Sequence, residues 1–250
     1  MEWAFTSFVR LVETEIGQDK AAAVILEPVQ GESGFLVTPL AFMKQLVEYC
    51  KKSGILFIAD EIQTAFGRTG NWFAVEHYGV TTGLFTIAKS VGAGLPLAAV
   101  VGCAEVMDVS AGGRPRRHLW REPGRLRGAL KTIEVIARDG YDEKGADIGE
   151  KVHARFRDFQ KNYALVGNAR GLGAMVAMEL VTDRTTKEAA AEKAAAIFKR
   201  CCSKGLIVMM KAGQHNQVIR FLAPLNITSE QLGEGLDILE EALAAESPRA

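Results

Sequence analysis

No apolar run in this chain approaches the roughly 20 residues needed to span a bilayer, so nothing in it reads as a transmembrane helix. Neither sign of charge is in excess. Thirty basic residues balance thirty acidic ones, which gives no reason to invoke nucleic acid or an anionic membrane as a partner. Cysteine is scarce: Cys50, Cys103, Cys201 and Cys202 show no paired metal spacing, and adjacent Cys201 and Cys202 cannot easily bridge each other. Reduced thiols without a metal are expected. The opening MEWAFTSFVRLVETEIG has neither a basic n-region nor an apolar h-region, so it does not read as a signal peptide. Internal repeats and low-complexity linkers are also missing. What remains is ordinary for a soluble, cytoplasmic α/β protein: 48% apolar residues, 24% charged residues and 25 glycines in 250 residues. That length can bury a real core, as one large domain or two small ones.

Apolar spacing predicts an amphipathic helix over 3–16 (Trp3, Phe5, Phe8, Val9, Leu11, Val12) and another over 39–52, with Phe42, Leu46, Val47 and Cys50 on one face. Strands are predicted at 21–26, running into Glu27-Pro28, and at 55–59, ending in Asp60-Glu61. Two more follow at 84–88, ending in Lys89, and at 97–102 after a Gly-rich bend. Strand, helix, strand with polar groups at the strand ends is the pattern of a parallel sheet carrying its site at the carboxyl edge. A helix at 129–138 leads to a second unit, with the boundary near residue 140. Helices at 149–161, 186–204 and 229–244 and strands at 174–180, 206–210 and 218–222 are expected there. The stretch 114–128, RPRRHLWREPGRLRG, holds six arginines in fifteen residues and shows neither helical nor strand periodicity.

Four segments carry chemistry. In FIADEIQTAFGRTG (57–70) an apolar strand delivers an acid into a cleft, where the carboxylate needs a cationic partner to stay charged. A protonated pyridine nitrogen is one such partner, and a strand-end salt bridge is the plain alternative. A Mg²⁺-binding aspartate of a nucleotidase would require G-x-x-x-x-G-K-[ST], which occurs nowhere. In LFTIAKSVGAGLP (84–96) a lysine closes an apolar strand before a Gly-rich turn. In a dry pocket such an amine loses its proton more readily and attacks an aldehyde, whereas a solvated strand-end lysine would do nothing. Asp60, on the neighbouring predicted strand, favours the first reading. EPVQGESGF (27–35) puts two carboxylates around Pro and Gly, as in a loop leaving the sheet edge. VIRFLAPLNIT (218–228) sets Arg220 inside an apolar strand. A buried arginine needs an anion, either a local acid or a substrate carboxylate that suits its planar fork.

In this order the four segments resemble the class III aminotransferases, a subgroup of the fold-type I pyridoxal-phosphate enzymes, through EPVQGExGF, IADE[IV]QTxFGRTG, AKSxxxGLP and [IV]RFLxPL. The resemblance implies part of a large cofactor domain over 1–140 and a small C-terminal α+β domain over 141–250. It implies pyridoxal 5'-phosphate as cofactor, with Lys89 as the Schiff-base lysine and Asp60 paired with the pyridine nitrogen. Ile62 would lie under the ring and Gln63 would hydrogen-bond its 3-oxygen. Arg220 would bind a substrate α-carboxylate, Glu32 would pair with Arg220 when that carboxylate is absent, and Glu27 would line the substrate pocket. ARGLGAMVAMEL (169–180) looks most like the 4-aminobutyrate aminotransferases. The implied activity is amino transfer from 4-aminobutyrate or a similar ω-amine to 2-oxoglutarate. An acetylornithine, ornithine or other ω-amine enzyme, or a non-catalytic fragment, stands beside it. The intact family works as homodimers, without nucleic acid or membrane partners.

Two features depart from the family pattern. Members carry a long segment ahead of the point matching residue 1, with the phosphate-binding turn and much of the dimer surface. The arginine-rich stretch also stands where the family has G-x-G-G-T-Y-x-G-N-P, whose threonine reaches the partner's cofactor phosphate. With permitted codons, a one-base slide of 114–128 reads GLGGTYGGNPVACAA, so two compensating frameshifts would explain the stretch. A basic nucleic-acid patch is the competing reading. Little transaminase activity is expected of the 250 residues as written.

Overall fold

The computed structural model describes residues 2–109 and 123–247. Along the chain run α1 (Glu2–Arg10), β1 (Ala23–Leu26), β2 (Val29–Gln30), β3 (Leu36–Val37), α2 (Leu40–Ser53) and β4 (Leu56–Asp60). Then come β5 (Leu84–Ile87), β6 (Ala99–Gly102), α3 (Ala104–Met107), α4 (Pro123–Asp139), α5 (Tyr141–Asn162) and β7 (Val166–Leu172). The last are β8 (Met175–Asp183), β9 (Glu188–Ala189), α6 (Ala191–Ser203), β10 (Met209–Ala212), β11 (Val218–Phe221) and α7 (Ser229–Glu246). These elements form two compact units. One comprises Met1–Pro28, Thr38–Phe66 and Trp72–Gly140; the other comprises Val29–Val37, Gly67–Asn71 and Tyr141–Ala250.

The first unit is built on a sheet ordered β1-β4-β5-β6. β1 and β5 both run parallel to β4, so the carboxyl ends of β4 and β5 lie at one edge. β6 corrects the expectation of a parallel sheet, because it pairs antiparallel with β5. The connection from Ile87 to Ala99 carries only a single short turn at Lys89–Gly92 and lacks the helix that usually makes a parallel crossover. α2 buries Met43, Leu46 and Cys50 in a cluster with Phe57 and Ala59 of β4. Phe42 and Val47 are only partly buried at its margin. Gly54 then takes the left-handed conformation (φ 68°) and its N–H returns to the Cys50 carbonyl, which stops the helix. The predicted helix over 3–16 is α-helical only to Arg10 and continues as a π-helix over Leu11–Ile16, whose buried residue is Val12. Of the arginine-rich stretch, 114–122 lie outside the described residues, but Pro123 and the residues after it open α4. Proline suits a first helical turn because its missing N–H would have no partner there.

The second unit holds an antiparallel sheet ordered β10-β11-β8-β7, with β9 on β8 and a separate β2-β3 ribbon. β8 is buried on both faces, and its alternation assigns each residue a side. Val176, Met178 and Leu180 join a core with Phe156 and Phe159 of α5, Ile197 of α6 and Leu239 of α7. Met175 and Ala177 join Val29 and Phe35 of the ribbon segment on the other face. Each large apolar side chain so buried contributes about 1.5–3 kcal/mol. Of EPVQGESGF only Val29 and Gln30 lie in the ribbon; the rest is mainly the turn that leads to β3, as expected of a loop.

Candidate functional site

In the first unit, Asp60 closes β4 opposite Thr86 of β5. Its Oδ1 accepts the Ile62 N–H at 3.1 Å and the Thr86 hydroxyl at 3.0 Å. Its Oδ2 accepts no hydrogen bond among the described residues. This carboxylate is thus held by one oxygen and offers the other. Lys89 follows the end of β5, so the parallel pairing places it at the same sheet edge as Asp60. Its backbone is left-handed (φ 50°), a conformation costing a side-chain-bearing residue roughly 1–3 kcal/mol that clusters at functional sites. The amine makes no hydrogen bond or ion pair among the described residues. The lysine is exposed, which corrects the expectation of a dry pocket. Ile62 and Gln63 occupy the turn after β4, and the Gln63 amide oxygen is buried without a partner among the described residues. Glu27 is half-buried after β1, and its carbonyl accepts the Thr38 hydroxyl at 3.3 Å.

Sequence reasoning missed Glu61. It is fully buried, and its carboxylate accepts the Ala74 and Val75 N–H groups at 3.0 and 2.9 Å and the Thr64 hydroxyl. Burial pushes its carboxyl above the usual range, against the lowering effect of the hydrogen bonds from Thr64, Val75 and Ala74. An acidic dipeptide at a strand end gave no sign of which member faces inward. A cavity of about 890 Å³ lies at the opposite end of the sheet, lined by Cys50, Leu56, Gly83 and Cys103 among others. None of the expected site residues lines it.

In the second unit, Arg220 is 3% exposed within β11. Its Nη1 donates to the Glu32 carboxylate at 2.9 Å and to the Gly31 carbonyl at 3.1 Å. The guanidinium carbon lies 5.7 Å from the centre of the Phe35 ring. Nε is buried without an acceptor among the described residues. An arginine this buried is costly unless paired, and the unused edge of its fork suits a carboxylate. Its partner is unequal: the Glu32 side chain is 77% exposed.

The first unit's residues fit pyridoxal phosphate. An orphaned buried amide at Gln63 is an oddity that a polar ring substituent would remove, and turning the amide over exchanges its acceptor for its donor. The open oxygen of Asp60 suits a protonated ring nitrogen, and the unencumbered amine of Lys89 suits an aldehyde.

Comparison with known proteins agrees. A family model described as "Aminotransferase class-III" matches residues 3–243. A probable 4-aminobutyrate aminotransferase of Bacillus subtilis is 40% identical over 230 residues, covering 92% of this chain and 52% of that protein. The 5-aminovalerate aminotransferase DavT of Pseudomonas aeruginosa is 41% identical over 238 residues, covering 95% of this chain and 56% of that protein. Among solved structures, a transaminase from the marine bacterium Virgibacillus superposes with a TM-score of 0.89 at 28% identity, over 98% of this chain and 57% of that one. The chain spans about half the length of the curated relatives it matches. By the extent of that match, the chain belongs to the class III aminotransferases, a family of pyridoxal-phosphate-dependent enzymes of fold-type I.

Proposed function

We propose that this chain carries the catalytic lysine and the carboxylate-recognition residues of an enzyme that transfers an amino group from 4-aminobutyrate, or a similar ω-amine, to 2-oxoglutarate. The observation that chiefly supports this reading is the unpartnered Lys89 amine at the sheet edge where Asp60 keeps one oxygen open. The names of the relatives from Bacillus subtilis and Pseudomonas aeruginosa support an ω-amine as donor. The chemistry supplied by bound pyridoxal phosphate is that of an electron sink for the pair left at the substrate carbon on proton removal. Asp60 would hold the ring-nitrogen proton, keeping that sink effective. Ile62 would support the ring face and Gln63 would hydrogen-bond its 3-oxygen. Lys89 would take the proton from the substrate carbon and return it at the cofactor C4'. Arg220 would bind the α-carboxylate of the 2-oxo acid, Glu32 would neutralise Arg220 when an amine without that carboxylate is handled, and Glu27 would line the substrate pocket. The 250 residues taken alone are expected to turn over poorly.

Borohydride reduction of a cofactor-loaded sample, followed by peptide mapping, tests the assignment of the lysine. The label should fall on Lys89; a label on Lys131 or Lys204 would overturn the reading. Comparing 4-aminobutyrate, 5-aminovalerate and ornithine as donors to 2-oxoglutarate then ranks the substrate classes.

A further inference from the structure

Arg170, the second residue of ARGLGAMVAMEL, shares a row of the second sheet with Arg220. Both pair with Ala177 of β8, Arg220 from β11 on one side and Arg170 from β7 on the other. Residues directly opposite across antiparallel strands point to the same face. The two guanidiniums therefore flank the Ala177 methyl on the face that receives the β2-β3 ribbon. Both reach its five-residue turn. Arg220 takes the Gly31 carbonyl, and Arg170 Nε donates to the Gly34 carbonyl at 2.8 Å. Arg170 is itself held: Nη1 donates to Glu179 at 2.5 Å and to Asn168 at 3.2 Å. Glu179 is fixed in turn by Gln217 Nε2 at 3.0 Å.

The turn has little freedom left. Gly34 and Phe35 have positive φ (91° and 55°), and a Cβ on Gly34 would lie 2.9 Å from Val218 and 3.1 Å from Arg170. Phe35 is fully buried, and the Gly213 N–H donates to the Glu32 carbonyl at 3.2 Å. Backbone clamped and side chain largely in solvent, Glu32 can change its relation to Arg220 only by rotating about its own side-chain bonds. We propose that Arg170 is a positioning residue, which by holding the Gly34 carbonyl sets the turn so that the Glu32 carboxylate meets Arg220. It thereby sets how readily a carboxylate ligand displaces Glu32. The inference rests on the reading of Arg220 and Glu32 as a carboxylate pair.

The test follows the Arg220 Nε–H signal by NMR in the full 250-residue chain, with Arg220→Lys for assignment and glutarate as the carboxylate probe. Without ligand, Arg170→Gln should move that signal most of the way to its position in Glu32→Gln. A signal left at the wild-type position in a folded variant overturns the proposal. With glutarate, Arg170→Gln and Glu32→Gln should each tighten binding about threefold or more. The double variant should be no tighter than Glu32→Gln alone, because residues acting as one unit are not additive. Additive effects would mean that Arg170 acts independently and would also overturn it. A wild-type chain whose signal ignores glutarate would count against the carboxylate reading of Arg220, while the ligand-free comparison still decides the role of Arg170. Should Arg170→Gln fail to fold, Arg170→Met combined with Glu179→Gln leaves no unpaired carboxylate in the sheet while still removing the donor to the Gly34 carbonyl. The same ligand-free displacement is then expected, and its absence is equally decisive.

Discussion

At the residue scale, the burial of Glu61 bears on stability. Its folded-state carboxyl lies above the ordinary value because burial outweighs its hydrogen bonds. Folding then favours the protonated form. The stability so gained is complete below the ordinary carboxylate value and is lost as pH climbs through the raised one. The melting temperature of the chain should therefore fall over that window relative to Glu61→Gln, which does not titrate. Parallel curves for the two across acid pH would show that Glu61 is not so shifted. The inward turn of Glu61 and the exposure of Lys89 were not legible in the sequence, since they depend on the backbone after each strand rather than on strand period. Asp60, Lys89 and Arg220 did stand out, because a charged residue ending or interrupting an apolar strand must be explained. The structure sets the first two at one sheet edge and buries the third.

At the element scale, α1 ends at Arg10 and α4 begins at Pro123, six residues from their expected bounds, but β1, β4, β5, β6 and α2 were legible within a few residues, because apolar runs and the Gly54 stop mark them. The β2-β3 ribbon and β7 were not. Val166–Leu172 contains two glycines, an asparagine and an arginine, residues that local preference assigns to turns. The strand exists because it pairs along β8, where tertiary packing overrides propensity. Glycines in α5 show the same contest. A Cβ on Gly145 would lie 2.0 Å from the Gly67 carbonyl oxygen, and one on Gly149 would lie 2.3 Å from that of Gly173. Four residues apart, the two share one helix face and let it approach both backbones. Gly149→Ala gains about 1 kcal/mol of helix propensity but overpacks a rigid contact, which costs about 1–3 kcal/mol, and more where backbone must move. A net loss is expected in urea unfolding. Gly233→Ala in α7 meets nothing within 4 Å and should instead stabilise by up to about 1 kcal/mol. Equal effects at the two sites would refute the packing argument.

At the scale of the whole molecule, apolar surface and charge point the same way. β1 pairs with β4 on one side only, and among the described residues no strand covers its other edge. Ile25 in that strand is 59% exposed. α4 presents Leu126, Leu130 and Ile133 at 43%, 62% and 37% exposure, three or four residues apart and so on one face. Open strand edges beside exposed apolar side chains are templates for pairing with another chain. Charge offers little opposition: the formal net charge is zero and the isoelectric point lies near 6.9, and low net charge promotes association. The 250 residues alone should therefore self-associate in a concentration-dependent way, most strongly near neutral pH and less so a unit or two either side. Ile25→Lys places a charge on the open edge, a device natural sheets use against edge pairing. It should lower light scattering at equal concentration without shifting the melting temperature by more than a few degrees, since an exposed side chain contributes little to the core. Scattering that is unchanged in Ile25→Lys, or that rises steadily away from neutral pH, would place the sticky surface elsewhere.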